Sequence, residues 1–226
     1  MKSYIKLFTV ALVAITFSNC KNNEVKLSEY KYADKTFDMA CNQIDTLLLK
    51  EAVFSFEDDI SNFFERNGRK NLAQAYSKTV NLVVYKRAQY RDMVSDHTRE
   101  VFDILKTQNG LWHTTTDGTT LNYDHPFVQC LASHIQDKDI KTTFNALLST
   151  NSMRQDIFAD AIRRKSSYAL RDRYLATYIA LDLYYGKLFD VDFTQPKKTP
   201  VKGNRTQTIN KSQMKKKVKM PKANTK

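Results

Sequence analysis

Apolar residues recur at helical spacing along almost the whole of this chain, and glycine hardly interrupts them. The 226 residues include five glycines. From Asp34, Phe37, Cys41, Ile44 and Leu48 fall on one stripe, which Val53, Phe56, Ile60, Phe63 and Phe64 continue with a phase shift. Gly68 reads as the stop of that helix, at the position that takes a left-handed residue. A second pattern joins Leu72, Tyr76, Val80, Val83, Tyr90, Val94, Val101 and Leu105, with Ser95 as an N-cap inside it. Further on, His125-Pro126 opens a helix bearing Phe127, Leu131 and Ile135, with proline near its first turn. Another starts at Asp139 and carries Ile140, Phe144, Leu147 and Leu148. Ser152 and Gln155 have the spacing of a capping box ahead of Ile157, Phe158, Ala161 and Ile162. The last helix is predicted from about Ser167 to Phe189, on a stripe of Tyr168, Leu175, Tyr178, Leu181, Tyr185 and Leu188.

One stretch breaks the pattern. Between Gly110 and Tyr123, Thr114-Thr115-Thr116 and Thr119-Thr120 flank Asp117-Gly118. Threonine suits strands, and Asp-Gly supplies the positive φ of a tight turn. The expectation is therefore an all-α protein: a bundle of about six helices with one small β-hairpin near residues 110–123. A hairpin is marginal alone, so Trp112, the single tryptophan, is expected to pack it onto the helices.

Charge divides the chain by position. Of the net +12, the ten lysines and one arginine of residues 195–226 supply +11, and Lys2 and Lys6 supply +2. Residues 21–194 are left at −1. The basic character belongs to a C-terminal tail with no aromatic residue and no acid, which is expected to be disordered. Lys215, Lys216, Lys217 and Lys219 make its densest run. Lysines without aromatic neighbours attract phosphate without reading bases, so no specific nucleic acid is expected. An anionic lipid or glycan surface suits the tail better, at roughly 1 kcal/mol per lysine.

At the other end, Lys2 and Lys6 precede the uncharged run Leu7–Phe17, and Ser18-Asn19-Cys20 follows. Eleven residues match the h-region of an export signal and fall short of the roughly 20 that span a bilayer. Thr16-Phe17-Ser18 would also suit ordinary signal cleavage. Phe17-Ser18-Asn19-Cys20 resembles the box of bacterial lipoprotein signals, in the relaxed form of Bacteroidetes-type bacteria. The resemblance implies lipidation of Cys20 and attachment to a membrane of the bacterial envelope. The chain then divides into a signal (1–20), a polar spacer (21–33), a helical domain (34–194) and the basic tail (195–226).

Catalytic signatures are missing: no HExxH, no GxSxG, no Walker or GxGxxG loop, and no Glu followed three residues later by His. No cofactor is implied. Cys130 and His134 lie four apart on one helix face, with His97, His113 and His125 as the other histidines, but two ligands do not make a metal site. Cys41 and Cys130 read as buried free thiols that pack as small hydrophobes; an exported chain would also permit them to pair. Glu57-Asp58-Asp59 reads as a solvated helix face. Arg163 and Arg164, with Lys165, Arg171 and Arg173 near them, offer a place for a phosphate or a sugar acid, and Tyr174 and Tyr184 lie off the last helix's stripe, where they would line a groove. The functional expectation is an exported, lipid-anchored binding module. The alternatives are an envelope enzyme acting on a glycan or peptide, or a carrier of a small hydrophobic ligand.

Overall fold

The computed structural model describes residues 27–197. Cys20 and the lysines at 215, 216, 217 and 219 lie outside the described residues. Within them the chain is mostly helical with one antiparallel hairpin, and has eight helices rather than about six. These are α1 (Thr46–Phe63), α2 (Leu72–Val84), α3 (Tyr90–Met93), α4 (Asp96–Leu105), α5 (Pro126–His134), α6 (Lys138–Ser149), α7 (Gln155–Ile162) and α8 (Arg173–Ala180). Helix α8 runs on through a π-helical stretch, Leu181–Tyr185, into a last turn, Gly186–Leu188. A 3-10 turn, Ser166–Leu170, precedes it. No helix among the described residues is long and apolar enough to cross a membrane.

The two extra helices come from division of the 72–105 pattern, after Val84 and again at the Ser95 N-cap. Lys86 ends α2 in the left-handed region, at φ 54°. There its N–H donates to the Val83 carbonyl, and the Arg87 N–H donates to that of Leu82, the bond pair of a Schellman motif. Asn151 (φ 50°) closes α6 in the same way, with Ser152 N–H donating to Leu147 and Asn151 N–H to Leu148. Ser152 is thereby used up in ending α6, so it does not cap α7; Arg154 stands at that N-cap without a side-chain cap bond, its guanidinium binding Asp156 instead. Gly68 is no helix cap either. Asn67 and Gly68, both at positive φ, turn the chain between the paired Arg66 and Arg69, after α1 has ended at Phe63. Ser95 caps α4 as expected, accepting from Thr98 N–H, and the His125 ring nitrogen caps α5 ahead of Pro126.

Residues 36–45, expected to be helical, are irregular, and α1 begins only after Asp45 accepts from Leu47 N–H. Leu27, Phe37, Cys41 and Ile44 are nevertheless buried. Their spacing reports contact with the body, not a helix. The N–H groups of Lys31 and Tyr32 hold this segment down by donating to Glu51 of α1 (2.8 and 3.1 Å).

Two helices make the interior. Of residues 51–61 in α1 only Asp58 is exposed, and residues 175–186 of α8 are all buried. Helix α1 packs against α2, α3, α4 and α8, while α5 also packs on α8. The hairpin pairs β1 (Trp112–Thr115) with β2 (Gly118–Leu121), Trp112 opposite Leu121. Gly118 alone takes the positive φ at its turn (115°). Trp112 fixes it to the helices as expected: its indole N–H donates to the Leu105 carbonyl (2.6 Å) and its ring meets Phe189. Gly186 lets β2 come close, since a Cβ there would stand 3.3 Å from the Thr119 carbonyl oxygen.

Candidate functional site

Burial concentrates charge on α1. Its acidic run is not a solvated face: Asp58 is exposed, but Glu57 and Asp59 are buried. Glu57 accepts from the Arg173 guanidinium (2.7 Å) and from the Tyr76 hydroxyl (2.8 Å). Asp59 accepts from Ser95 N–H (3.1 Å) and from the Tyr184 hydroxyl (2.8 Å). Glu51 meets His97 Nε2 at 2.5 Å. A second knot lies in the π-helical stretch, where Asp182 accepts from Leu121 N–H (2.9 Å) and the Tyr178 hydroxyl (2.7 Å), with Tyr123 at 3.1 Å. The Gln155 amide donates to the Asp182 carbonyl. Burial raises the carboxyl pKa of both Asp59 and Asp182 above the usual range, against the pull of their hydrogen-bond donors. Burial also raises Tyr178 and Tyr184 well above an ordinary phenol, which keeps both as donors. Each of these acids is met by donors from other elements, so the network ties α1, α4, α8 and the hairpin together.

Exposed chemistry gathers where α5 turns into α6, beside the turn that leads into α8. A cleft of about 260 Å3 opens there, lined by Gln136, Asp137, Tyr168, Arg171 and Asp172. Its two carboxylates are engaged. Asp172 caps α8 through Tyr174 and Leu175 N–H and also takes Gln136 N–H (2.7 Å). Asp137 caps α6 and binds Lys165 Nζ (3.0 Å). Burial raises its pKa, but the Ile140 N–H and Lys165 outweigh that and hold it below the usual carboxylate value. What remains for a ligand is the Tyr168 ring, 42% exposed, with the Arg171 guanidinium 5.3 Å from its centroid, and the Gln136 side chain. An aromatic face beside a cation and an amide can stack on a sugar ring and hold an anionic or hydroxyl group.

Next to the cleft, Cys41 and Cys130 form a disulfide with Cα atoms 5.7 Å apart. The reading as free thiols is overturned. Cys41 belongs to an irregular segment, not to a helix of its own, and that segment lies against α5. His134 Nδ1 sits 3.6 Å from Cys130 Sγ, and the His134 ring stacks on Tyr174 with centroids 5.0 Å apart.

The other residues singled out from sequence are scattered. Arg163 pairs with Asp160 (3.1 Å), and Arg164 is exposed on the same turn. Neither lines the cleft; Arg171, from the same basic stretch, does. Tyr174 is half-buried and accepts from Ala40 N–H (3.1 Å), tying the N-terminal segment to α8. Tyr184 is fully buried and lines no groove. It is core although it lies off the stripe because this helix is buried on every side, residues 175–186 alike. Of the histidines offered as partners for Cys130 and His134, His97 pairs with Glu51, His125 caps α5 and His113 is exposed on β1. Gln136 and Tyr168 as cleft residues, and Cys41 beside His134, were not visible in spacing, because each contact joins distant parts of the chain. Compared with known proteins, the chain matches no family model, no curated protein and no solved structure, so its function rests on this geometry and on the sequence.

Proposed function

We propose that this chain is an exported, lipid-anchored protein of the bacterial envelope whose helical body is a binding module. The observation that carries the reading is the Cys41–Cys130 disulfide. Disulfides persist in oxidising compartments and are rare in the cytosol, which agrees with the export signal ending at Cys20. Lipid at Cys20 would hold one end of the chain, and the lysines at 215, 216, 217 and 219 would add attraction to an anionic lipid or glycan surface at the other.

The test of the anchor is metabolic labelling with a fatty-acid probe, comparing wild type with Cys20→Ala. Label is expected on wild type alone; label surviving on Cys20→Ala would overturn the anchor.

The module's binding face is the Tyr168–Arg171 cleft, and its ligand class is a sugar acid or phosphate-bearing glycan. Tyr168→Ala and Arg171→Ala alter exposed side chains and leave the capping carboxylates in place. Each is expected to weaken binding to isolated envelope glycans more than tenfold (about 1.4 kcal/mol). Equal retention of both variants and wild type would remove the cleft from the binding face.

A further inference from the structure

We propose that Cys41, Cys130 and His134 form a redox-gated site for a soft or borderline cation, Zn(II) or Cu(I), closed when the disulfide is made and open when it is reduced. The two sulfurs and a His134 ring nitrogen all lie within 4.8 Å of one another. Cys130 and His134 are one helical turn apart on α5, and their side chains already meet, Nδ1 to Sγ at 3.6 Å. Thiolate sulfur and imidazole nitrogen are the donors that zinc and cuprous ions take.

The geometry needs two changes: the sulfurs must part, and His134 Nδ1, 2.9 Å from the Cys130 carbonyl oxygen and 3.0 Å from Ser133 Oγ, must exchange those contacts for the ion. Once the S–S bond is broken, the two sulfurs must part to roughly 3.7 Å, the edge of a tetrahedron with Zn–S bonds near 2.3 Å. Cys41 sits in irregular chain, where a side-chain rotation meets no helical ladder. Its segment stays in place without the disulfide, because Phe37 and Ile44 are buried and Ala40 N–H donates to the Tyr174 hydroxyl. The same Tyr174 stacks on the His134 ring and restricts its tilt. Cys41 is buried, Cys130 half-buried and His134 exposed, so an ion enters from the His134 side. Three protein donors leave a fourth position to water or an incoming ligand, the arrangement of open zinc sites.

The chemistry balances with a dithiol as reductant. The dithiol becomes a disulfide, and its two electrons and two protons convert Cys41–Cys130 into two thiols. Binding one Zn(II) then releases those two protons as the thiolates ligate. A small-molecule disulfide reverses the change: it takes the two electrons and two protons, leaves as two thiols, and the Cys41 and Cys130 thiolates re-form their bond and release the ion.

The test uses the signal-free chain, reduced with a phosphine and titrated anaerobically with Co(II), then with Zn(II) in competition. One equivalent of Co(II) with thiolate-to-metal charge-transfer absorption is expected in the reduced protein and none in the oxidised one. His134→Ala, an exposed change that leaves the fold intact, is expected to lower affinity more than tenfold, and Cys130→Ser to abolish the charge-transfer band. His113→Ala, on the hairpin, should bind as wild type does. Three results would overturn the proposal: no charge-transfer band in the reduced chain, undiminished affinity in His134→Ala, or loss of the native circular dichroism on reduction alone.

Discussion

Asp182 shows how far a single position departs from what its neighbours in sequence suggest. It sits in Leu181-Asp182-Leu183, and nothing in that triplet distinguishes a surface acid from a buried one. In the fold it is completely buried and collects Leu121 N–H and two tyrosine hydroxyls. Because burial raises its pKa, the folded chain holds this proton to higher pH than the unfolded chain, where an aspartate titrates near about 3.9. Its contribution to stability is therefore full below the unfolded value and is lost as pH rises through the folded value. Asp59 acts with the same sign. Asp137 and Asp192, whose pKa values are lowered, act with the opposite sign, contributing above the unfolded value and losing it as pH falls. Asp182→Asn isolates one residue from these. As pH is raised from about 4 to 8, wild type should lose melting temperature relative to Asp182→Asn. A difference that does not change with pH would refute the raised pKa.

At the scale of the element, the periodic pattern located helical chain well and helix ends poorly. The pattern from Leu72 to Leu105 is one stripe in sequence and three helices in space; Ser95 marked one of the two breaks, and the other stayed hidden because the stop at Lys86 uses a residue type that carries no stop signal. A left-handed lysine is strained relative to glycine. Lys86→Gly keeps both Schellman bonds and should stabilise the protein by about 0.5–1 kcal/mol, raising the melting temperature by roughly 1–4 °C. An unchanged or lower melting temperature would show that the strain is absent or is offset in the unfolded chain. The reverse error occurred at residues 36–45, where buried positions at helical spacing belong to irregular chain. Elements marked by local chemistry were legible: the threonine-flanked hairpin, Ser95 at its N-cap and Pro126 at the start of α5.

For the whole molecule, the disulfide joins chain positions 89 apart and so removes much of the unfolded chain's freedom, on the order of 4–5 kcal/mol in the chain-entropy account. It fastens the N-terminal segment to α5, twenty-one residues beyond Cys20. Charge is distributed on the same scale: a body near neutrality and a tail of +11. If the tail meets an anionic surface, deleting residues 195–226 should lower binding to anionic vesicles at low salt, and raising the salt should erase the difference. Equal binding of both chains at low salt would assign the tail no such role.

By itself, the sequence determined the helical class, the hairpin and the charge layout, and it supplied the expectation of an export signal at Cys20. Each of these depends on residues close together in the chain, where spacing and turn chemistry act directly. Only the tertiary structure decided that Cys41 bonds Cys130, that Glu57 and Asp59 are buried while Asp58 is not, that Tyr184 is core, and that Tyr168 and Arg171 share a cleft with Gln136. Those facts are set by which segments pack together, and burial then determines whether an acid is solvated or paired, and whether a thiol is free or bonded.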